Sequence, residues 1–163
     1  MGDKSDSRKA AAIPALSLPG QTGTGYPPPF DAIVGERVKR ALGDAFGLSQ
    51  FGVNMVHLPP GASSSQRHWH RYEDELVYVL EGELTLINDA GESALEAGMV
   101  AGFPAGRPDG HHLVNKSDAG AVYLEVGTRS AMDEASYPDI DLHYSHHGGR
   151  GTFSHKDGTP YEK

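Results

Sequence analysis

The chain has 163 residues, 22 Asp and Glu against 14 Lys and Arg, a net charge of -8 with histidine neutral, and no cysteine. That length suits one domain burying about two-thirds of its unfolded surface, and the acidic balance disfavours a nucleic-acid surface, which needs clustered cations. Without thiols, disulfides and thiolate metal sites are excluded, so His and carboxylates are left as ligands for any transition metal.

The start, Met1-Gly2-Asp3-Lys4-Ser5-Asp6, lacks the apolar core of a signal peptide, and no run approaches the roughly 18 apolar residues of a membrane span. The reading is a soluble, cytoplasmic protein without membrane contact. Residues 1–30 are rich in Gly, Pro, Ser and charge and end in Tyr26-Pro27-Pro28-Pro29-Phe30, which predicts an irregular N-terminal arm. Residues 37–46 read as a strand or a short helix, with Gly43 weakening either. From Phe51 the pattern becomes two-fold: Phe51, Val53, Met55 and His57 fall on one face, and Gly52, Asn54, Val56 and Leu58 on the other, before Pro59-Pro60-Gly61 ends the strand.

Further strands are predicted over 76–80, 84–88, 93–95, 100–103, 111–115 and 121–127, each closed by a Gly- or Pro-bearing turn. Short strands at intervals of about 8 to 12 residues predict an all-β antiparallel sandwich or barrel, here a domain over 31–135. Residues 136–163 alternate at Ile140 and Leu142 and then turn polar and glycine-rich, as a C-terminal extension or lid.

Residues two apart on a strand point the same way, so His68 and His70 face together and Trp69 faces away, packing against the arm or a second subunit. Glu75 opens the next strand beside them, with Glu73 and Asp74 as competitors. Downstream, His111 and His112 must face opposite ways. His111 is chosen because it shares its face with Leu113 and Asn115, and His112 is the alternative.

These residues closely resemble the two motifs of the cupin superfamily. Gly61, His68, His70, Glu75 and Gly82 match the first, and Gly98, Pro104, Gly106, His111 and Asn115 the second. Gly61 to His68 is one residue longer than the family pattern, and four residues rather than two separate Gly106 from His111. Both additions fall in turns, which tolerate insertion. The resemblance covers about 50–127. It implies a small jelly-roll β-barrel with a metal in its mouth, commonly paired as a homodimer.

Three imidazoles and one carboxylate, from His68, His70, His111 and Glu75, suit one divalent transition metal ion (Mn, Fe, Co, Ni, Cu or Zn) and leave room for an exogenous oxygen. The expected function is a metal-dependent enzyme acting on a small oxygen-rich molecule, of the sugar or sugar-phosphate isomerase, dioxygenase or lyase type. The alternative is a non-catalytic small-ligand or sensory module, although the first 50 residues hold no helix pair to read DNA. Candidate bases are Tyr78, Glu83, Tyr123 and Glu125, with their facing open. His57 reads as a surface or pocket residue. His143, His146, His147 and His155 read as a solvated or lid-forming tail rather than a second metal site, and 61–65 as a loop rather than a phosphate cradle.

Overall fold

The computed structural model describes residues 11–161. The first third of the predicted arm lies outside them. The strands are β1 (Val38–Ala41), β2 (Phe51–Leu58), β3 (Trp69–His70), β4 (Glu75–Glu81), β5 (Glu83–Asn88), β6 (Gly91–Glu96), β7 (Val100–Phe103), β8 (His112–Val114), β9 (Ala121–Thr128), β10 (Met132–Ser136), β11 (His143–His147) and β12 (Arg150–Ser154), with one helical turn, α1 (Leu42–Ala45). The stretch read as strand or helix is therefore both: a strand that pairs with β2 and then a single turn beginning at Leu42.

Five strands form one sheet in the order β1-β2-β9-β4-β7, three form β6-β5-β8, and four form β12-β11-β10-β3. Isolated bridges Ser63–Val114 and His68–His111 connect the segment leading into β3 to the β8 strand, so the two smaller sheets run on from each other. The first core joins the five-stranded sheet to β5, β6 and β8 through Val56, Leu58, Val77, Val79, Leu84, Leu95, Leu113, Ala121 and Tyr123. This is the all-β antiparallel arrangement that the strand spacing predicted, consistent with the jelly roll that the resemblance implied. Each aliphatic side chain fully buried here contributes about 1.5–3 kcal/mol of transfer free energy, which makes the apolar inner rows the main reason the layers stay together.

A second cluster gathers Ala135, Tyr137 and Leu142 with Tyr26, Phe30, Tyr144, Phe153 and Tyr161. The arm is thus anchored by aromatic packing near residue 30, and Gln21 adds a backbone bridge to Lys39. The polar, glycine-rich C-terminal stretch is ordered as the β11–β12 hairpin, with five paired positions from His143–Ser154 to His147–Arg150. Its alternation was hidden because the outward positions are His, Ser, Thr and Gly, which carry no hydrophobic period.

On the outer face of the five-stranded sheet, Leu76, Tyr78 and Leu80 of β4 alternate with buried Val77 and Val79, and Tyr78 sits opposite Val100 of β7. Leu76, Tyr78, Leu80, Met99 and Val100 remain 39–57% exposed. No helix among the described residues is long and apolar enough to cross a membrane.

Two motif residues hold turns. Gly82 has φ +78°, and a Cβ there would meet Gly120 O at 2.9 Å. Asn115, fully buried, donates from Nδ2 to Leu58 O and Ala119 O, both at 2.8 Å, and accepts from Ser117 N and Oγ at Oδ1. Asn115→Ala leaves the buried Leu58 carbonyl and the more exposed Ala119 carbonyl without their donor, so it is expected to lower unfolding free energy by about 1–3 kcal/mol. Urea denaturation of parent and variant measures this. Equal midpoints would refute the bracing role.

Candidate metal centre

β3 is only two residues long, yet it aims both of its neighbouring imidazoles inward as alternation predicted: His68 Nε2 and His70 Nε2 lie 3.0 Å apart. Glu75 opens β4, and its Oε2 lies 3.7 Å from His70 Nε2 and 2.9 Å from His111 Nε2. His68, His70 and Glu75 present ligand atoms within 4.8 Å of one another, a group able to hold an ion. His111 reaches the cluster through Glu75 and is buried together with Leu113 and Asn115, the face-sharing on which it was chosen. His112 turns away, its Nδ1 donating to Ser65 O at 3.0 Å.

The competing carboxylates are held elsewhere. Glu73 accepts from Ser130 N at 2.7 Å, and Asp74 accepts from Ala105 N at 2.7 Å. Glu73 nevertheless belongs to a second possible cation group, with His70 and Asp133. Of the tail histidines, His146 bonds to Ser130 O and His155 to Asp141, and none joins a metal-competent group among the described residues. His57 is exposed. Half-buried Trp69 lines a small crevice with Pro104 and Arg107.

The outer nitrogens of the imidazoles are all engaged. His68 Nδ1 donates to Gln66 O at 2.8 Å, His111 Nδ1 to Asp109 O at 3.2 Å, and His70 Nδ1 to Asp133 Oδ2 at 2.6 Å. A carbonyl or carboxylate can only accept, so Nδ1 carries the hydrogen in His68 and His70 and leaves an Nε2 lone pair aimed at the centre, while in His111 both nitrogens face acceptors, Asp109 O and Glu75 Oε2. Lone pairs 3.0 Å apart on His68 and His70 repel unless a positive charge sits between them, and with an ion in place His111 would keep its hydrogen on Nδ1 toward Asp109 O and turn Nε2 to the cation. The donor set therefore fits a divalent cation. Phe103 stacks flat on His111 with centroids 3.5 Å apart, and Tyr137 stacks on His68 at 5.6 Å. These rings lock two of the imidazoles.

In the metal-free protein a proton takes up part of that role. Burial opposes charge on His70, but the Asp133 hydrogen bond and the Glu75 and Asp133 charges outweigh it and raise its pKa to about 9. Burial and the neighbouring imidazoles drive His68 down to about 4, against the pull of Glu75. Burial of Glu75 is overcome by the His111 hydrogen bond and the charges of His70 and His68, leaving it at about 2.

The cluster opens on a cavity of about 380 Å³, within the range of small-molecule sites. Its walls include Arg37, Lys39, Asn54, Tyr123 and Glu125 from the five-stranded sheet and its approach, and Tyr26, Tyr137, Tyr144 and Phe153 from the second aromatic cluster. Tyr123 and Glu125 thus face inward, whereas Tyr78 and Glu83 are exposed. Lys39 Nζ at 2.6 Å and Asn54 Nδ2 at 3.1 Å both donate to Glu125 Oε1.

Sequence reasoning missed Asp133, Tyr137, Phe103, Arg37 and Lys39. Asp133 lies in Met132-Asp133-Glu134-Ala135-Ser136, a strand with no β-branched or aromatic residue to signal it. The alternation of Arg37 and Lys39 about Val38 is the one available hint, too short to stand alone.

Residues 54–127 match the cupin domain family. A sugar phosphate isomerase from a cupin superfamily, from Silicibacter pomeroyi, is 44% identical over 93% of this chain and 96% of that one, with TM-score 0.89. A candidate sugar phosphate isomerase from Acidithiobacillus ferrooxidans is 30% identical over 78% and 81%, with TM-score 0.71. The polyketide cyclase RemF from Streptomyces resistomycificus, 22% identical over 73% and 79% with TM-score 0.60, shares the fold. No curated protein matches the sequence significantly.

Two outcomes are expected. Asp133→Asn removes the charge behind His70, so the His70 titration should fall by more than one pH unit in metal-free protein, and metal affinity by about 10–100-fold; histidine NMR titration and competition with a chelator measure both. His68 titrates at 6.5 when unperturbed and about 4 when folded. The unfolded chain thus binds the extra proton first, and the stability that neutral His68 contributes is complete above 6.5 and lost as pH falls towards 4. Thermal midpoints of metal-free protein should drop across that window and drop less in His68→Gln. An equal drop in both would contradict the assignment.

Proposed function

Because the chain belongs to the cupin superfamily and its donor cluster opens on a polar cavity, we propose that it is a metal-dependent isomerase of small sugar phosphates, with His68, His70, Glu75 and His111 holding the ion. The observation that carries this reading is the convergence of three Nε2 atoms and one carboxylate at the wall of a cavity about 380 Å³ in size. The resemblance over nearly the whole length to the Silicibacter protein supports the substrate class. A bound divalent ion supplies Lewis acidity toward the carbonyl and hydroxyl oxygens of a chelating substrate.

Aldose–ketose isomerisation also needs a group that takes a proton from the carbon beside the carbonyl and returns it to the carbonyl carbon. Glu125 is suited to this. It pairs with Val77, two residues along from Glu75 on the same face, which places the two about 7–8 Å apart as diagonal neighbours, enough for a substrate's reacting carbons between them. Lys39 and Asn54 fasten Oε1, and Oε2 takes no hydrogen bond among the described residues.

The apolar outer face bearing Leu76, Tyr78 and Val100 supports a homodimer, since a two-fold contact needs a patch that complements itself. A polar partner face would leave these side chains wet.

Metal content and proton exchange test the reading. Parent protein should carry close to one ion per chain and His111→Ala much less, while Glu125→Gln keeps the ion but loses about 10²–10⁴ in turnover. Elemental analysis reads the first. Deuterium entry at the second carbon of an aldose phosphate in heavy water reads the other, and its absence across five- and six-carbon substrates would sink the isomerase reading. Val100→Glu should shift the light-scattering mass from dimer to monomer.

A further inference from the structure

Among the described residues only two buried side-chain polar atoms lack a hydrogen-bond partner: Arg37 Nε and Tyr123 Oη. Both belong to walls of the same cavity. An N–H or O–H removed from water without a partner is destabilising, so two lining one cavity imply an acceptor supplied from the cavity. They are not loosely placed. Arg37 is fixed by its other nitrogens, Nη1 donating to Ser64 O and Nη2 to Gly23 O at 3.1 Å. Tyr123 is 1% exposed and paired across the sheet with Val56 and Val79.

The charge balance of the wall points the same way. Lys39 is neutralised by Glu125 at 2.6 Å. Arg129 spends its charge on Asp44. Arg37 makes no ion pair with a carboxylate among the described residues, and both of its bonded nitrogens go to neutral carbonyls. A guanidinium without a counter-charge, lining the same cavity as a buried phenol hydroxyl with no hydrogen-bond partner, matches an anionic oxygen group that accepts from both.

We propose that Arg37 and Tyr123 form the subsite for the substrate's phosphate monoester, so that a sugar phosphate spans the cavity with its carbonyl end toward Glu75 and its phosphate toward Arg37. This deepens the isomerase reading and rests on it for the sugar, but the anion subsite can be tested without turnover. Tyr123 lies opposite Val79, four residues along β4 from Glu75 and on the same face, a separation of about 13 Å at 3.3 Å per residue. A five- or six-carbon phosphate ester is of the length to bridge much of that distance.

The probe is inorganic phosphate, titrated calorimetrically into the full-length, metal-loaded protein and into chelator-treated protein. Parent protein should bind phosphate in both forms. Arg37→Gln should weaken binding at least tenfold, and Tyr123→Phe about three- to tenfold, with metal content unchanged in each. The thermal midpoint of Tyr123→Phe should equal or exceed the parent's, since the variant removes a hydroxyl that has no partner, whereas a merely structural hydroxyl would lower it. Arg37 also holds Ser64 and Gly23, so should Arg37→Gln fail to fold, Tyr123→Phe decides. Unchanged phosphate affinity in Tyr123→Phe, or phosphate binding that vanishes with the metal, overturns the subsite, as does gluconate binding as tightly as phosphate. Failure of deuterium exchange with phosphate binding intact would instead remove the isomerase reading and leave the anion subsite standing.

Discussion

Two backbone hydrogen bonds, His68 N to His111 O at 3.1 Å and His111 N to His68 O at 2.8 Å, underlie most of what this molecule is. They join segments 43 residues apart, align the imidazoles that those residues carry, and make the small sheets continuous with each other. Such a reciprocal pair fixes register, and in a sheet a slip of one residue would turn every side chain to the opposite face. The site and the jelly roll therefore share one constraint. The same bonds that place His111 beside Glu75 place Leu113 in the core.

Around that pairing, apolar and polar demands are separated along each inward row rather than mixed. On β4 the inner row runs from Glu75 to Val77 and Val79, and on β9 from Glu125 to Tyr123 and Ala121. Charge sits at one end and fully buried aliphatic surface at the other. Desolvation of the ionisable groups is therefore compensated locally: Asp133 against His70, His111 against Glu75, Lys39 against Glu125. This is the condition under which buried charge is tolerable.

Much of this was legible before any coordinates. The period-two alternation of Phe51–Leu58 and the Val-rich run after Glu75 marked strands to within a residue or two, because apolar rows between Gly-bearing turns leave few other conformations. His68, His70 and Glu75 stand out as candidates because alternation puts the two imidazoles on one face and the carboxylate opens the next strand, while His111 is preferred to His112 for the face it shares with Leu113 and Asn115. What stayed hidden depends on contacts between distant segments. Asp133 reaches His70 across 63 residues from a strand without hydrophobic period, and no local rule identifies it. Tyr137 and Phe103 looked like ordinary core aromatics, and only stacking on His68 and His111 gives them a further role. The β11–β12 hairpin was obscured by its composition, since Gly148-Gly149, both with positive φ, read equally well as a flexible tail and as a tight turn.

The second aromatic cluster has a consequence for how the centre is divided along the chain. Every candidate ion ligand lies between positions 68 and 111, whereas another part of the cavity wall is assembled from Tyr26 and from Tyr137, Tyr144 and Phe153, on segments that flank that stretch. The candidate ion ligands and the aromatic wall are thus encoded in separate stretches of sequence that meet only in three dimensions. Because β10 pairs with β3 and Tyr137 stacks on His68, a change in the C-terminal segment would reach the candidate ligands as well as the cavity on which they open.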